Sequence, residues 1–156
     1  MPELPEVENV RRSLVKILGE NLNIEAAVCL SPKLRVLLDK KLPEWLVGES
    51  VLKIERRAKF LLFQFKKGAL INHLGMTGQW RVESRFSAKK HDHFFIKFQQ
   101  GPYLIYNDVR RFGLITYCKT ADLNNNRWLK NLGVEPLDQK RFTVEYLSPL
   151  LKGRAT

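Results

Sequence analysis

The sequence predicts a mainly β protein with flanking helices, an α+β chain whose strands close into a sandwich or barrel. Eight short runs between residues 23 and 117 are rich in Val, Ile, Leu and Phe and are separated by turn-forming residues. One amphipathic stretch precedes them at the N-terminus. The chain has 156 residues, 44% of them hydrophobic, which is enough for one domain with a real core.

The N-terminal element is a helix over residues 5–18. Val7, Val10, Leu14 and Ile17 recur at three- and four-residue spacing and make one apolar stripe. Pro5 suits the first turn and Gly19 the position after the last. Strands follow over residues 23–30, 50–57, 59–65, 69–76, 79–83, 93–99, 103–108 and 113–117. Lys66-Lys67-Gly68 and Gln99-Gln100-Gly101-Pro102 read as hairpin connections. Many short strands of this kind favour a sandwich or barrel. Over residues 32–47, Leu34, Leu37, Leu38 and Leu42 suggest a helical stripe that Pro43 breaks. Asn124-Asn125-Asn126 reads as a solvated loop or helix start, and residues 141–151 as a short helix interrupted by Pro149. There is no internal repeat and no long low-complexity tract.

Lys and Arg number 27 against 16 acids, a formal charge of +11 and a pI near 9.9. That balance points to a polyanion: nucleic acid first, an anionic membrane surface second. A surface neutralising ~6 phosphates would give a slope of roughly −5 in log affinity against log salt. No run approaches the ~18 apolar residues of a membrane span. Glu3, Glu6 and Glu8 stand where a secretory signal would carry positive charge. Cys29 and Cys118 lie far apart without C-x-x-C spacing, so two buried thiols in a reducing cytosol are expected rather than a disulfide.

The first residues carry the sharpest chemical signal. Removal of Met1, which a small second residue favours, makes Pro2 a free secondary amine. An α-amino group has a reference pKa of ~7.7–8.0, so part of it is unprotonated near neutral pH. Such an amine attacks an electrophilic carbon, and from proline the product is an iminium ion, a strong electron sink. Glu3 follows directly and could shuttle protons to a departing group. The plainer reading is an ordinary proline opening a helix.

The neighbours of Pro2 add to this. Pro2-Glu3-Leu4-Pro5-Glu6-Val7-Glu8 resembles the start of the formamidopyrimidine-DNA glycosylase family, bacterial enzymes that excise oxidised purines. Three later segments resemble the same family in the same order: Arg56-Arg57-Ala58-Lys59-Phe60-Leu61-Leu62, His73-Leu74-Gly75-Met76-Thr77-Gly78 and Asn107-Asp108-Val109-Arg110-Arg111-Phe112-Gly113. Lys90-His91-Asp92-His93 and Leu132-Gly133-Val134-Glu135-Pro136-Leu137 are also similar to family segments. The related endonuclease VIII branch usually has Gly where this chain has Leu4, which favours the first branch.

The resemblance implies a two-sheet β-sandwich flanked by helices. It implies an N-terminal catalytic domain over residues 1–134. Residues 135–156 would form a linker and the start of a helical DNA-binding module otherwise absent. In the family that module is a helix–two-turn–helix followed by a four-cysteine zinc finger, so a structural zinc is implied there and no cofactor in this chain. The implied function is base-excision repair: a DNA glycosylase with abasic-site (β,δ) lyase activity, working through a Schiff base at Pro2. The alternative is a truncated, non-catalytic damaged-DNA-binding domain. The implied partner is double-stranded DNA holding an oxidised purine or abasic site. The protein would be a monomer in the bacterial cytosol or nucleoid, without a membrane role.

Residue by residue, the resemblance makes Pro2, Glu3 and Lys59 catalytic. Lys59 lies inside an apolar strand pattern, where a lysine otherwise packs its stem and sends its head to water. Met76, Arg110 and Phe112 would fill the gap left by a flipped nucleotide, Arg110 facing the orphaned base and Phe112 wedging against its neighbour. Their plainer readings are core filling for Met76 and Phe112 and an ion pair for Arg110, for instance with Asp108. Where the family often has Pro, this chain has Val109, which leaves Arg110 less pre-set. His91 matches a DNA-contacting position, and alternation in a strand puts His91 and His93 on one face. No third ligand makes that pair a metal site; hydrogen bonds to carboxylate or backbone are expected instead. His73 would approach a phosphate, and Arg154, Lys33 and Arg35 are further phosphate candidates. Glu6 either bonds the opened sugar or complements the helix N-terminus by charge.

Overall fold

The computed structural model describes residues 3–19, 22–130 and 132. Its first element is helix α1, Leu4–Leu18, with Pro5 in the first turn and Gly19 closing the end through its N–H to the Val15 carbonyl. Val7, Leu14 and Leu18 are buried and Val10 partly so. Ile17, expected on the buried stripe, is 57% exposed. The inner face is rotated toward Leu18 and takes in Glu8.

The strands are β1 (Leu22–Cys29), β2 (Ser50–Val51), β3 (Lys53–Arg57), β4 (Phe60–Gln64), β5 (Gly68–His73), β6 (Gly78–Glu83), β7 (Asp92–Phe98), β8 (Tyr103–Asp108) and β9 (Leu114–Lys119). They form two antiparallel sheets, one ordered β2-β1-β7-β8-β6 and the other β3-β4-β5-β9. This is the expected two-sheet, mainly β architecture. Between the sheets lies one core, with Ile24, Phe94, Ile96, Phe98, Leu104 and Tyr106 from the first facing Ile54, Leu61, Phe63, Leu70 and Ile115 from the second. Each fully buried Phe, Leu or Ile contributes about 1.5–3 kcal/mol relative to exposure. The second sheet is covered on its outer face too, where Leu62, Ala69, Ile71 and Cys118 pack against Leu123 and Leu129. Leu123 belongs to a 3-10 helix, Thr120–Asn125, that takes in part of the predicted asparagine loop. β5 is therefore buried at every position, as a strand between two layers must be.

Three sequence expectations need correction. The run over residues 50–57 is not one strand: it breaks at Leu52, and β2 and β3 belong to different sheets. The leucines of residues 32–42 do not form a helix. Leu34 and Leu38 are buried, Leu37 is 72% exposed, and Lys33 pairs with Leu37 in an isolated bridge. Pro43 does not end a helix there; it sits in the first turn of α2, Leu42–Leu46, where a missing N–H costs nothing. The helix expected over residues 141–151 lies outside the described residues, as does the proposed linker 135–156.

The chain passes between sheets three times among the described residues: at Leu52, between β5 and β6 through residues 74–77, and between β8 and β9 through residues 109–113. Register places the last two at one end of the sandwich. Phe60, His73 and Leu114 are cross-strand partners in the second sheet, and Gly78 pairs with Asp108 in the first. The β3–β4 hairpin, the segment after β1 and the turn before β7 come to that same end.

Candidate nucleic-acid interface

Placement starts with α1. Glu8, almost fully buried, receives hydrogen bonds from Arg11 Nε and Nη2 (2.8 and 2.7 Å), Arg12 Nε (2.9 Å) and Arg56 Nε (3.0 Å). The Arg11 guanidinium, with Arg56 and Arg12, overcomes burial and holds the Glu8 carboxyl at about 2. Because Arg56 belongs to β3, this cluster fastens the helix to the second sheet. Arg11 adds a bond to the Ile54 carbonyl at 3.4 Å.

That fastening puts the head of the helix over the β3–β4 hairpin. Glu3 Oε2 lies 3.5 Å from Lys59 Nζ. Lys59 is not inside a strand, as its apolar surroundings suggested. Arg57 pairs with Phe60, which leaves Ala58 and Lys59 as a two-residue turn. Ala58 has φ 51, a region that hairpins normally give to glycine, so the sequence carried no turn signal. Glu6 is exposed on the first turn of α1. Pro2 lies outside the described residues, as does Arg154.

His73 ends β5 beside Phe60, its ring 5.0 Å away edge-on. Its Nδ1 accepts the Gly75 N–H at 2.9 Å, so the ring proton is on Nε2. Burial, then the charges of Arg35 and Lys59, lower its pKa and keep the imidazole neutral. A neutral His73 flanked by two cations can donate to a phosphate without adding charge.

Met76 stands on the turn after β5 and is 43% exposed; the strand expected to reach it stops at His73. Phe112, in the connection between β8 and β9, is 44% exposed and is not a core strand residue. Arg110 lies over the Phe112 ring at 5.0 Å and is not ion-paired with Asp108 among the described contacts. The two connections touch backbone to backbone. A Cβ on Gly75, at φ +63, would lie 2.5 Å from the Phe112 carbonyl carbon. Two exposed apolar side chains on neighbouring connections, one of them under an arginine, are poorly placed for a core.

His91 and His93 do not share a strand face. β7 begins at Asp92, His91 precedes it with φ 70, and the register with β8 shifts between Asp92 and Phe94. His91 is half-buried, and its carbonyl accepts the Asp108 N–H at 3.0 Å. His93 is buried, with Nε2 donating to the Asp108 carbonyl at 2.8 Å and Nδ1 accepting from Ser31 Oγ at 2.7 Å. The backbone partner expected for this pair is thus present at His93. Arg35 is engaged by Phe112: its Nε donates to the Phe112 carbonyl at 3.0 Å, and its own N–H reaches the Gly113 carbonyl at 3.0 Å. Lys33 is exposed, and its carbonyl receives Arg111 Nη1 at 3.4 Å.

Sequence reasoning passed over Glu8, Thr77 and Asp108 as parts of this arrangement. For Asp108 a signal existed: in β8 it alternates with Leu104 and Tyr106, so it points into the core.

The model of the formamidopyrimidine-DNA glycosylase N-terminal domain matches residues 1–115. The chain belongs to the formamidopyrimidine-DNA glycosylase family. It is 42% identical over 151 residues to the formamidopyrimidine-DNA glycosylase of Bdellovibrio bacteriovorus, covering 97% of this chain and 53% of that protein. It is 43% identical over 158 residues to that of Hydrogenovibrio crunogenus, covering 100% of this chain and 55% of the relative. The chain thus spans about half the length of the curated relatives it matches. Among solved structures, the Lactococcus lactis Fpg in complex with abasic-site-containing DNA is similar with a TM-score of 0.72 and 35% identity, over 80% of this chain and 46% of that one. A complex of LlFpg with THF-DNA and an inhibitor gives 0.74 and 36% over the same shares, 80% and 46%. The sequence holds two cysteines, Cys29 and Cys118, both free. Cys118 is buried and Cys29 half-buried. Among the described residues no three His, Cys, Asp or Glu side chains gather to hold a metal ion. No described helix is long and apolar enough to cross a membrane.

Proposed function

We propose that residues 1–134 are the catalytic domain of a bifunctional DNA glycosylase and abasic-site lyase, and that residues 135–156 lead toward a helical DNA-binding module. The substrate is double-stranded DNA carrying an oxidised purine or abasic site, bound by a monomer in the bacterial cytosol or nucleoid. The observation that carries the reading is the Glu3–Lys59 pair, at 3.5 Å, on the same end of the sandwich as exposed Met76, Arg110 and Phe112.

The mechanism follows from these groups. The target nucleotide leaves the stack, because its anomeric carbon cannot be reached within the duplex. Met76, Arg110 and Phe112 enter the gap, and His73, His91, Arg35, Lys33 and Arg154 hold phosphates. The Pro2 nitrogen lone pair forms a bond to the anomeric carbon. The bond from that carbon to the damaged base breaks, and the base departs with its electron pair and a proton. Glu3 gives its proton to the base, takes up the proton that the Pro2 nitrogen sheds on attack and passes it to the opening ring oxygen, while Glu6 bonds the opened sugar. The resulting iminium acidifies the adjacent sugar carbon. Loss of that proton expels the 3′ phosphate, and a second elimination expels the 5′ phosphate. Lys59 positions the phosphate and helps transfer the proton. Hydrolysis then returns free Pro2.

Intact mass first establishes whether Met1 is removed, since a retained methionine blocks the amine. The processed chain is then incubated with abasic-site DNA and borohydride. A trapped covalent adduct that disappears with Pro2→Gly is the expected result. A processed chain that binds this DNA and traps nothing would overturn the catalytic reading in favour of a damaged-DNA-binding domain.

A further inference from the structure

Thr77 and Asp108 lie between the two connections that carry Met76, Arg110 and Phe112, and they bond to both. The Thr77 hydroxyl donates to Asp108 Oδ1 at 2.6 Å and accepts the Arg110 N–H at 3.0 Å. One side chain of the first connection thus grips the backbone of the second at the residue proposed to face the orphaned base. The Asp108 carboxylate is 0% exposed. It also accepts the Arg111 N–H on Oδ1 at 3.1 Å, and the Gly113 N–H and Tyr106 hydroxyl on Oδ2 at 2.8 and 3.1 Å. Two carboxylate oxygens offer about four acceptor positions, so these donors fill them. An asparagine would turn an NH2 group toward donors. Burial and the Asp108 charge raise the Tyr106 pKa, so its phenol stays protonated and donates.

The backbone of the second connection is not at rest in an ordinary conformation. Arg111 has φ 59, which a non-glycine residue adopts only when its surroundings impose it. The bond from the Arg111 N–H to Asp108 supplies that constraint. The Asp108 backbone is held in turn, its N–H by the His91 carbonyl and its carbonyl by His93. The carboxylate therefore works from a fixed base.

We propose that Thr77 and Asp108 are positioning residues that lock the Met76 turn and the Arg110–Phe112 loop into one unit that enters the duplex as a single piece. The inference rests on the DNA-binding reading above. Loops ordered in advance do not have to lose their freedom on insertion, which is where preorganisation raises affinity.

The test uses the full chain and three measurements. The first is the ratio of affinities for a duplex holding an abasic-site analogue and for the undamaged duplex. The second is the fluorescence of 2-aminopurine placed opposite the analogue. The third is amide hydrogen exchange at Arg110 in the free protein. Thr77→Val removes the hydroxyl at nearly constant shape, and Thr77→Ser keeps it. Valine should lower the affinity ratio about tenfold, abolish the fluorescence rise and speed Arg110 exchange about tenfold, the size expected for one lost charge-assisted hydrogen bond. Serine should restore all three. Should the valine variant fail to fold, Thr77→Ala, whose void admits water to the carboxylate, is measured in the same way. A variant without the hydroxyl that keeps both the ratio and the fluorescence rise overturns the proposal. A wild-type chain showing neither preference nor rise overturns the DNA reading and the insertion role with it. In that case Arg110 protection lost with valine would show that the loops are coupled and that the fault lies in the DNA reading.

Discussion

Glu8 is met by three guanidinium groups and Asp108 by four neutral donors. Both carboxylates are buried, and both hold a part of the proposed site in place. The difference lies in what each has to fix. Glu8 joins two regular elements, α1 and β3, whose own backbones are already set, and what it supplies is strong attraction to arginines on both. Asp108 fixes the course of an irregular loop. Backbone N–H groups and a hydroxyl approach it along set directions, so each bond specifies a backbone position. Charge pairing attaches; directed neutral bonds shape.

The largest expected effect comes from breaking the attachment. Glu8→Gln removes the charge that three arginines share and should lower unfolding free energy by about 3 kcal/mol in urea at neutral pH. The same contrast has a pH signature. The folded Glu8 carboxyl titrates at about 2 against an ordinary 4.5. At Asp92, burial raises the pKa, but the Arg81 fork, Asn107 and the Lys89 N–H outweigh it and hold the group at about 2 against 3.8. Both are lowered on folding, so their stabilisation is complete above the unfolded values and is lost as pH falls toward 2. Urea midpoints should drop between pH 5 and 2, and the drop should be shallower in Glu8→Gln.

Asp108→Asn comes next. It turns an NH2 group toward donors and should cost about 2 kcal/mol, with amide exchange speeded first at Arg111 and Gly113. If it loosened α1 instead, the division of labour between the two carboxylates would be wrong. The smallest effect is a gain. Asp108 is the last residue of an extended strand, a conformation compatible with a following proline. Val109→Pro should therefore raise stability by about 0.5 kcal/mol by restricting the unfolded chain, read as a small rise in Tm.

The strands were legible because Val, Ile, Leu and Phe are concentrated in them and turns punctuate them. Helix α1 was legible from Val7 and Leu14, although Ile17 was misassigned because periodicity fixes a face only to within a residue. Lys59 was named from its motif but misplaced, since an alanine takes the position at which a glycine would have announced the hairpin. Pro43 misled because a proline that opens a helix reads locally like one that ends it. Thr77 and Asp108 are 31 residues apart, and no local pattern reports that a hydroxyl in one turn meets a carboxylate at the end of a distant strand. Chemical identity travelled in the sequence; mutual placement came from the register of the sheets.

Where Met76 and Phe112 stand also limits how the molecule can vary. Each occupies a stretch that carries the chain from one sheet to the other, whereas residues 84–91 join two strands of the same sheet. An insertion in the latter bulges into solvent. A deletion in either of the former would shorten the reach from one sheet to its partner and would have to displace a strand end. The minimum lengths of those two stretches are thereby tied to the spacing of the layers.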